Sequence, residues 1–180
     1  MTRLIPPSLV VVLLLGVACG YTAVDSRRPF GQSAIMLDPI TETSPSGLAG
    51  ELTRSLSQTL ATGAMGFTPY ASEATARLGG RIISTRTRGA SITSTDRAAE
   101  AFVFEARIEL QLVSTSTGEV LWRLNLPANE AFRQVTGGNE SAIETETARR
   151  LAMGRLADAL ALEIREHLLI ASMAAVPEES

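Results

Sequence analysis

Residues 101–113 read AFVFEARIELQLV, in which Phe102, Phe104, Ala106, Ile108, Leu110 and Leu112 alternate with Glu105, Arg107, Glu109 and Gln111. A period of two sends the apolar set to one face of a β-strand and the polar set to the other. After STSTG the alternation resumes in EVLWRLNLP. Val120, Trp122, Leu124 and Leu126 take one face, Arg123 and Asn125 the other. Two such runs joined by a short glycine-containing turn predict an antiparallel hairpin. Upstream, SAIMLDPI is a short apolar run closed by Pro39, which predicts a first strand over 33–38. ATARLGGRIISTRT, residues 74–87, predicts another strand, and its Gly79–Gly80 pair signals a bulge or a close backbone approach. RGASITSTDRAAE reads as a loop or strand end.

Two stretches have helical period instead. Leu48, Leu52, Leu56 and Leu60 recur every four residues, with Ser44 as an N-cap, Pro45 at the first position and Gly63 as the stop. They predict a helix over 45–62. Ser141 and Glu144 fit a capping box at the head of a second helix that runs from Ala142 to about Ile170. Its expected apolar stripe is Ala148, Leu151, Ala152, Leu156, Ala159, Leu160, Ile164 and Leu168, over roughly 40 Å. The order β-α-β-β-β-α, with one apolar face per element, predicts an α/β (α+β) two-layer sandwich: two helices on one face of a mixed four-stranded sheet. That domain is expected over 32–171, followed by a disordered tail over 172–180. The hairpin leaves the other sheet face polar.

The N-terminus has a different character. MTR is followed by an apolar run from Leu9 to Ala18, and then by Cys19, the chain's one cysteine. About ten residues is half of the roughly 20 that span a bilayer, so the run fits the hydrophobic region of a signal peptide over 1–18. Small residues, Gly16 and Ala18, stand where a signal peptidase needs narrow side chains. The stretch resembles a bacterial lipobox, with Leu15 one position further from the cysteine than is usual. Cys19 is then expected to carry lipid, and residues 19–31 to be a lipidated tether. Several acyl chains hold a protein stably where one is marginal. Gly20 rather than an aspartate follows the cysteine, which points to the outer membrane.

Composition narrows the function further. All 16 basic residues are arginine, and the formal net charge is −3. Without lysine there is no P-loop, Schiff base or Ser-Lys dyad. The charge and the scarcity of aromatics argue against nucleic acid as a partner. No nucleophile elbow, HExxH, CxxC or GxGxxG occurs, so no enzyme, metal or cofactor is expected. His167 stands alone on the second helix, without the acidic or cysteine neighbours a metal needs. Gly137-Gly138-Asn139, ahead of a helix, reads as a loop and cap. Trp122 is expected in the core. Glu105, Arg107 and Glu109 are expected to pair across strands.

One resemblance covers nearly the whole mature chain. CGY, AIMLDPI, PSGLAGELTRSLSQTL, GGRI, AAEAFVFEARIELQLV leading into GEVLW, and ARRLAMGRLADALALEIREHL occur in the order seen in the lipopolysaccharide-assembly lipoprotein family (LptE-like). The resemblance implies a lipoprotein on the periplasmic side of the outer membrane that plugs a large β-barrel, the LptD-like lipopolysaccharide translocon, and helps to assemble it. Its partners would be that barrel and lipopolysaccharide. Arg97 lies where the family has a basic loop. With Arg86 and Arg88 it forms the expected contact set for lipid A phosphates, because guanidinium forks match phosphate oxygens. The alternative is an auxiliary lipoprotein of another envelope machine, an ABC transport system or a peptidoglycan-synthase activator. A periplasmic lipid carrier would need an enclosed apolar cavity, which two helices on one apolar sheet face would fill.

Overall fold

The computed structural model describes residues 29–32, 34–63, 66–90, 101–133 and 141–174. After a 3-10 turn at Pro29–Gly31 come β1 (Ile35–Leu37), β2 (Thr41–Glu42), α1 (Leu48–Thr62), β3 (Ala76–Ala90), β4 (Ala101–Ser114), β5 (Val120–Arg133) and α2 (Ser141–Ala174). Both helices pack on one face of a single mixed sheet. β3, β4 and β5 are antiparallel neighbours, and β1 and β2 run parallel to β3. The two-layer architecture is the one expected, but the sheet has five strands, not four. Asp38-Pro39-Ile40 interrupts the first strand position, because proline has no N–H for the ladder. β1 therefore pairs with Ala76–Leu78, and β2 separately with Arg81 and Ile82.

The core lies between the sheet and the helices. Leu48, Leu52, Leu56 and Leu60 of α1 are all sealed, as are Leu78, Ile82, Ile108 and Leu112 of the sheet and Leu160 and Ile164 of α2. Each fully buried leucine contributes about 2 kcal/mol from area removed from water. The even positions of β4 from Phe104 to Leu112 are buried, as the alternation predicts, while Trp122 and Leu124 of β5 are half-buried at the rim. Gly80 marks the close approach that the glycine pair signalled. A Cβ there would lie 2.5 Å from Leu110 Cδ2 and 2.8 Å from the Glu109 carbonyl oxygen. The bulge comes later, at Ile83, where the register of β3 on β4 slips.

Helix and strand ends differ from expectation in instructive ways. α1 starts at Leu48 rather than Pro45. Gly47, in the left-handed region at φ 88°, separates the helix from the Ser44-Pro45 pair. No side chain of the N-cap residue caps it. Instead Glu42 accepts from the Gly47 N–H (3.1 Å) and the Ser46 hydroxyl (2.7 Å), and Ser46 Oγ accepts from the Leu48 N–H (3.2 Å). The free donors at the positive helix end are thus met by a carboxylate reaching back from β2. β5 continues past Pro127 to Arg133, since an edge strand tolerates proline where its nitrogen faces outward. The Ala131 carbonyl, at the same parity as Pro127, accepts from Arg155 Nη2 of α2. Finally, α2 runs on to Ala174, into the stretch expected as tail.

Candidate functional site on the open face of the sheet

The helices cover one face of the sheet and leave the other open. On β4 the odd positions point to the open side, and Arg123, Asn125, Asn129 and Arg133 join them from β5. On β3 the bulge at Ile83 inverts parity. Arg77 and Arg81, at odd positions, therefore share the open face with Arg86 and Arg88, at even ones. A plain alternation would have sent the two pairs to opposite sides.

Among the described residues, the result is a field of seven arginines (77, 81, 86, 88, 107, 123 and 133) against three carboxylates. Arg77 pairs with Asp38 at 2.7 Å and Arg81 with Glu109 at 3.0 Å. Arg86 and Arg88 share Glu105, at 3.0 and 2.9 Å. These arginine side chains are more than half exposed, so each pair contributes at most about 1 kcal/mol. Among the described residues, Arg107, Arg123 and Arg133 have no acidic partner. The described residues of this face are therefore net positive, on a chain whose net charge is negative. A depression of about 510 Å³ crosses its middle, lined by Gly79, Arg81, Glu109, Gln111, Arg123 and Asn125 among others. It exists because Gly79 puts no side chain over the sheet between the Asp38–Arg77 and Arg81–Glu109 pairs. Polar walls, one free guanidinium and two side-chain amides suit an anionic or hydroxylated ligand.

Of the residues singled out from sequence, Cys19, Arg97 and Gly137-Gly138-Asn139 lie outside the described residues. Arg86 and Arg88 are inside β3 rather than at its end, bound to one carboxylate. Glu105 and Glu109 pair across strands as expected, but Arg107 does not. His167 is half-buried on α2, with its Nε2 3.9 Å from Glu163. Alternation had placed Arg123 and Asn125 on the wet face. It missed Arg133, because Pro127 was read as the end of the strand and Glu130 and Ala131 break the alternation beyond it, although pairing with β4 runs on to Arg133. Among the described residues, no three metal-binding side chains gather, and no helix is long and apolar enough to cross a membrane.

No family model and no curated protein matches the chain. Solved structures do. A candidate lipoprotein from Caulobacter crescentus CB15 superposes with a TM-score of 0.51 at 15% identity, over 75% of this chain and 91% of that one. The two chains share a fold. Weaker likenesses are a minor lipoprotein from Acinetobacter baumannii (TM-score 0.44, 12% identity, 74% of this chain and 93% of that one) and the rare lipoprotein B from Shewanella oneidensis (0.43, 13%, 78% and 94%). At such identities the likeness concerns the fold, and the function has to be argued from the open face.

Proposed function

We propose that this chain is an outer-membrane lipoprotein, held on the periplasmic side by acyl chains on Cys19, that plugs and helps to assemble the lipopolysaccharide-translocating β-barrel. The observation that carries the reading is the open face of the sheet. β3, β4 and β5, of 15, 14 and 14 residues, present a wide polar surface there. The lumen of a large barrel is polar and wet, so its plug needs hydrogen-bonding groups outward and its apolar stripes sealed inward. The arginine excess adds a role in delivery. Arg97, with Arg86 and Arg88, would meet lipid A phosphates, and the unpaired Arg107 and Arg123 would extend that path along the sheet.

The test is a mild-detergent pull-down of the tagged full chain from outer membranes, with partners identified by mass. A stoichiometric large β-barrel is the expected result. Recovery of an inner-membrane transporter or a cell-wall synthase in its place would move the function to the auxiliary-lipoprotein alternative. Cys19→Ala is expected to release the protein from the membrane fraction, and a variant that stays there would remove the lipid anchor from the proposal.

A further inference from the structure

On the side of α2 turned away from the core, Ala148 and Leu151, Ala159 and Leu162, and Ile170 and Met173 form three i, i+3 pairs repeating every eleven residues. Eleven residues are almost a whole number of helical turns, so such a repeat keeps to one side of a straight helix. The larger members are open to solvent: Leu151 is 61% exposed, Leu162 52%, Ile170 60% and Met173 52%. Single exposed apolar residues are ordinary on a protein surface, but a periodic row of them along roughly 37 Å of one helix is not. Between the pairs, at the same eleven-residue interval, stand Arg155 and Glu166.

We propose that this row is a self-association surface, and that its occupant is the α2 helix of a second copy of this chain, antiparallel about a two-fold axis between Leu160 and Ala161. The order of residues carries the argument. With that axis, Ala148 faces the partner copy's residue 173, Leu151 faces 170 and Ala159 faces 162, which brings small side chains against large ones at two of the three levels. The same axis sets Arg155 opposite residue 166 of the other copy, and Glu166 opposite residue 155, so both cross-helix charge pairs are of opposite sign. A two-fold contact has to be complementary to itself, and this row is. Arg155 already holds Glu130 through Nε at 2.8 Å. Its outer Nη1 is left for a second carboxylate. The surface lies on the helix layer, away from the open sheet face, so this proposal and the barrel reading stand or fall separately.

The experiment co-expresses two differently tagged full chains and asks whether they co-purify from mild-detergent extracts. Wild-type copies are expected to co-purify. Arg155→Glu with itself, and Glu166→Arg with itself, place like charges at both contacts and should lower recovery by about tenfold. Arg155→Glu with Glu166→Arg restores opposite charges at both contacts and should restore recovery. Leu162→Glu, at an exposed position, should abolish it without changing the monomer's melting. Absence of wild-type co-purification would overturn the proposal. So would recovery indifferent to the charge reversals, as copies sharing a micelle or a barrel would give, or failure of the mixed pair to recover.

Discussion

The two helices use the same residue types for different ends. In α1 every leucine is on one stripe and every one is sealed, so the helix is committed to the core. In α2 a core stripe of Ala152, Met153, Leu156, Ala157, Leu160, Ala161, Ile164 and Leu168 coexists with the exposed row of Leu151, Leu162, Ile170 and Met173 on the other side. The difference teaches that hydrophobicity along a helix does not name what covers it. A four-residue spacing kept for four turns names a single face. Apolar residues spread around more than half the circumference name two.

Truncation separates the two cases most sharply. Leu56→Ala empties a site with no exposed surface in the middle of the core and is expected to cost about 3 kcal/mol. That should appear as a lower denaturant midpoint with an unchanged slope. Leu162→Ala is expected to shift the monomer's stability by less than about 0.5 kcal/mol. Equal costs at the two sites would mean that Leu162 is covered within the monomer, and the contrast between the helices would fail.

The sheet offers the same contrast in adjacent glycines. Gly80 faces the core, and Gly79 faces the open side. Gly80→Ala drives a methyl group into Leu110 and the Glu109 carbonyl, with Ile40 Cδ1 at 3.2 Å behind them. Backbone oxygen cannot give way as a side-chain tip can, and a loss of about 2 kcal/mol is expected. At Gly79 the nearest atom to a Cβ is Asp38 Oδ2 at 3.7 Å, an ordinary contact. Gly79→Ala should be neutral, or slightly stabilising through the unfolded chain, while beginning to fill the floor of the depression. Thermal melts of the two variants side by side measure the difference between the faces.

Alternation and spacing carried much of this fold. The apolar residues of β4 went to the core and its charges to the open side, and the leucines of α1 were buried together, because each pattern was long and pure. The bulge at Ile83 was hidden. One extra residue has no composition of its own, yet it decides that Arg81 and Arg86 share a face. The second apolar row of α2 was misread. Leu151 and Ala159 were counted in the buried stripe, although at about 100° per residue that stripe would wrap most of the helix. Both are exposed. The cap of α1 was also illegible, since its acceptor comes from another element, on the far side of a proline and a left-handed glycine.

That cap gives the smallest effect and the one with a pH signature. Burial of Glu42 pulls its carboxyl upward, but the Ser46 hydroxyl and the N–H groups of Gly47, Ser46 and Ala49 together outweigh it and hold the group below its ordinary 4.5. A carboxyl depressed in the folded state stabilises at pH above its unfolded value, and the gain is lost as pH falls through the folded value. Glu42→Gln keeps an acceptor but loses the charge at the positive end of the helix. The expected cost at pH 7 is about 0.5 kcal/mol, closing to nothing once the wild-type carboxyl is protonated. Glu146 of α2 is also held low, by Arg149 and then Arg150, but on an exposed surface. Glu146→Gln should therefore change the pH dependence of unfolding less than Glu42→Gln does, because solvent screens its arginine pairs. If instead it moved the curve as Glu42→Gln does, the stabilisation would belong to general surface charge rather than to a carboxylate fixed at a helix end.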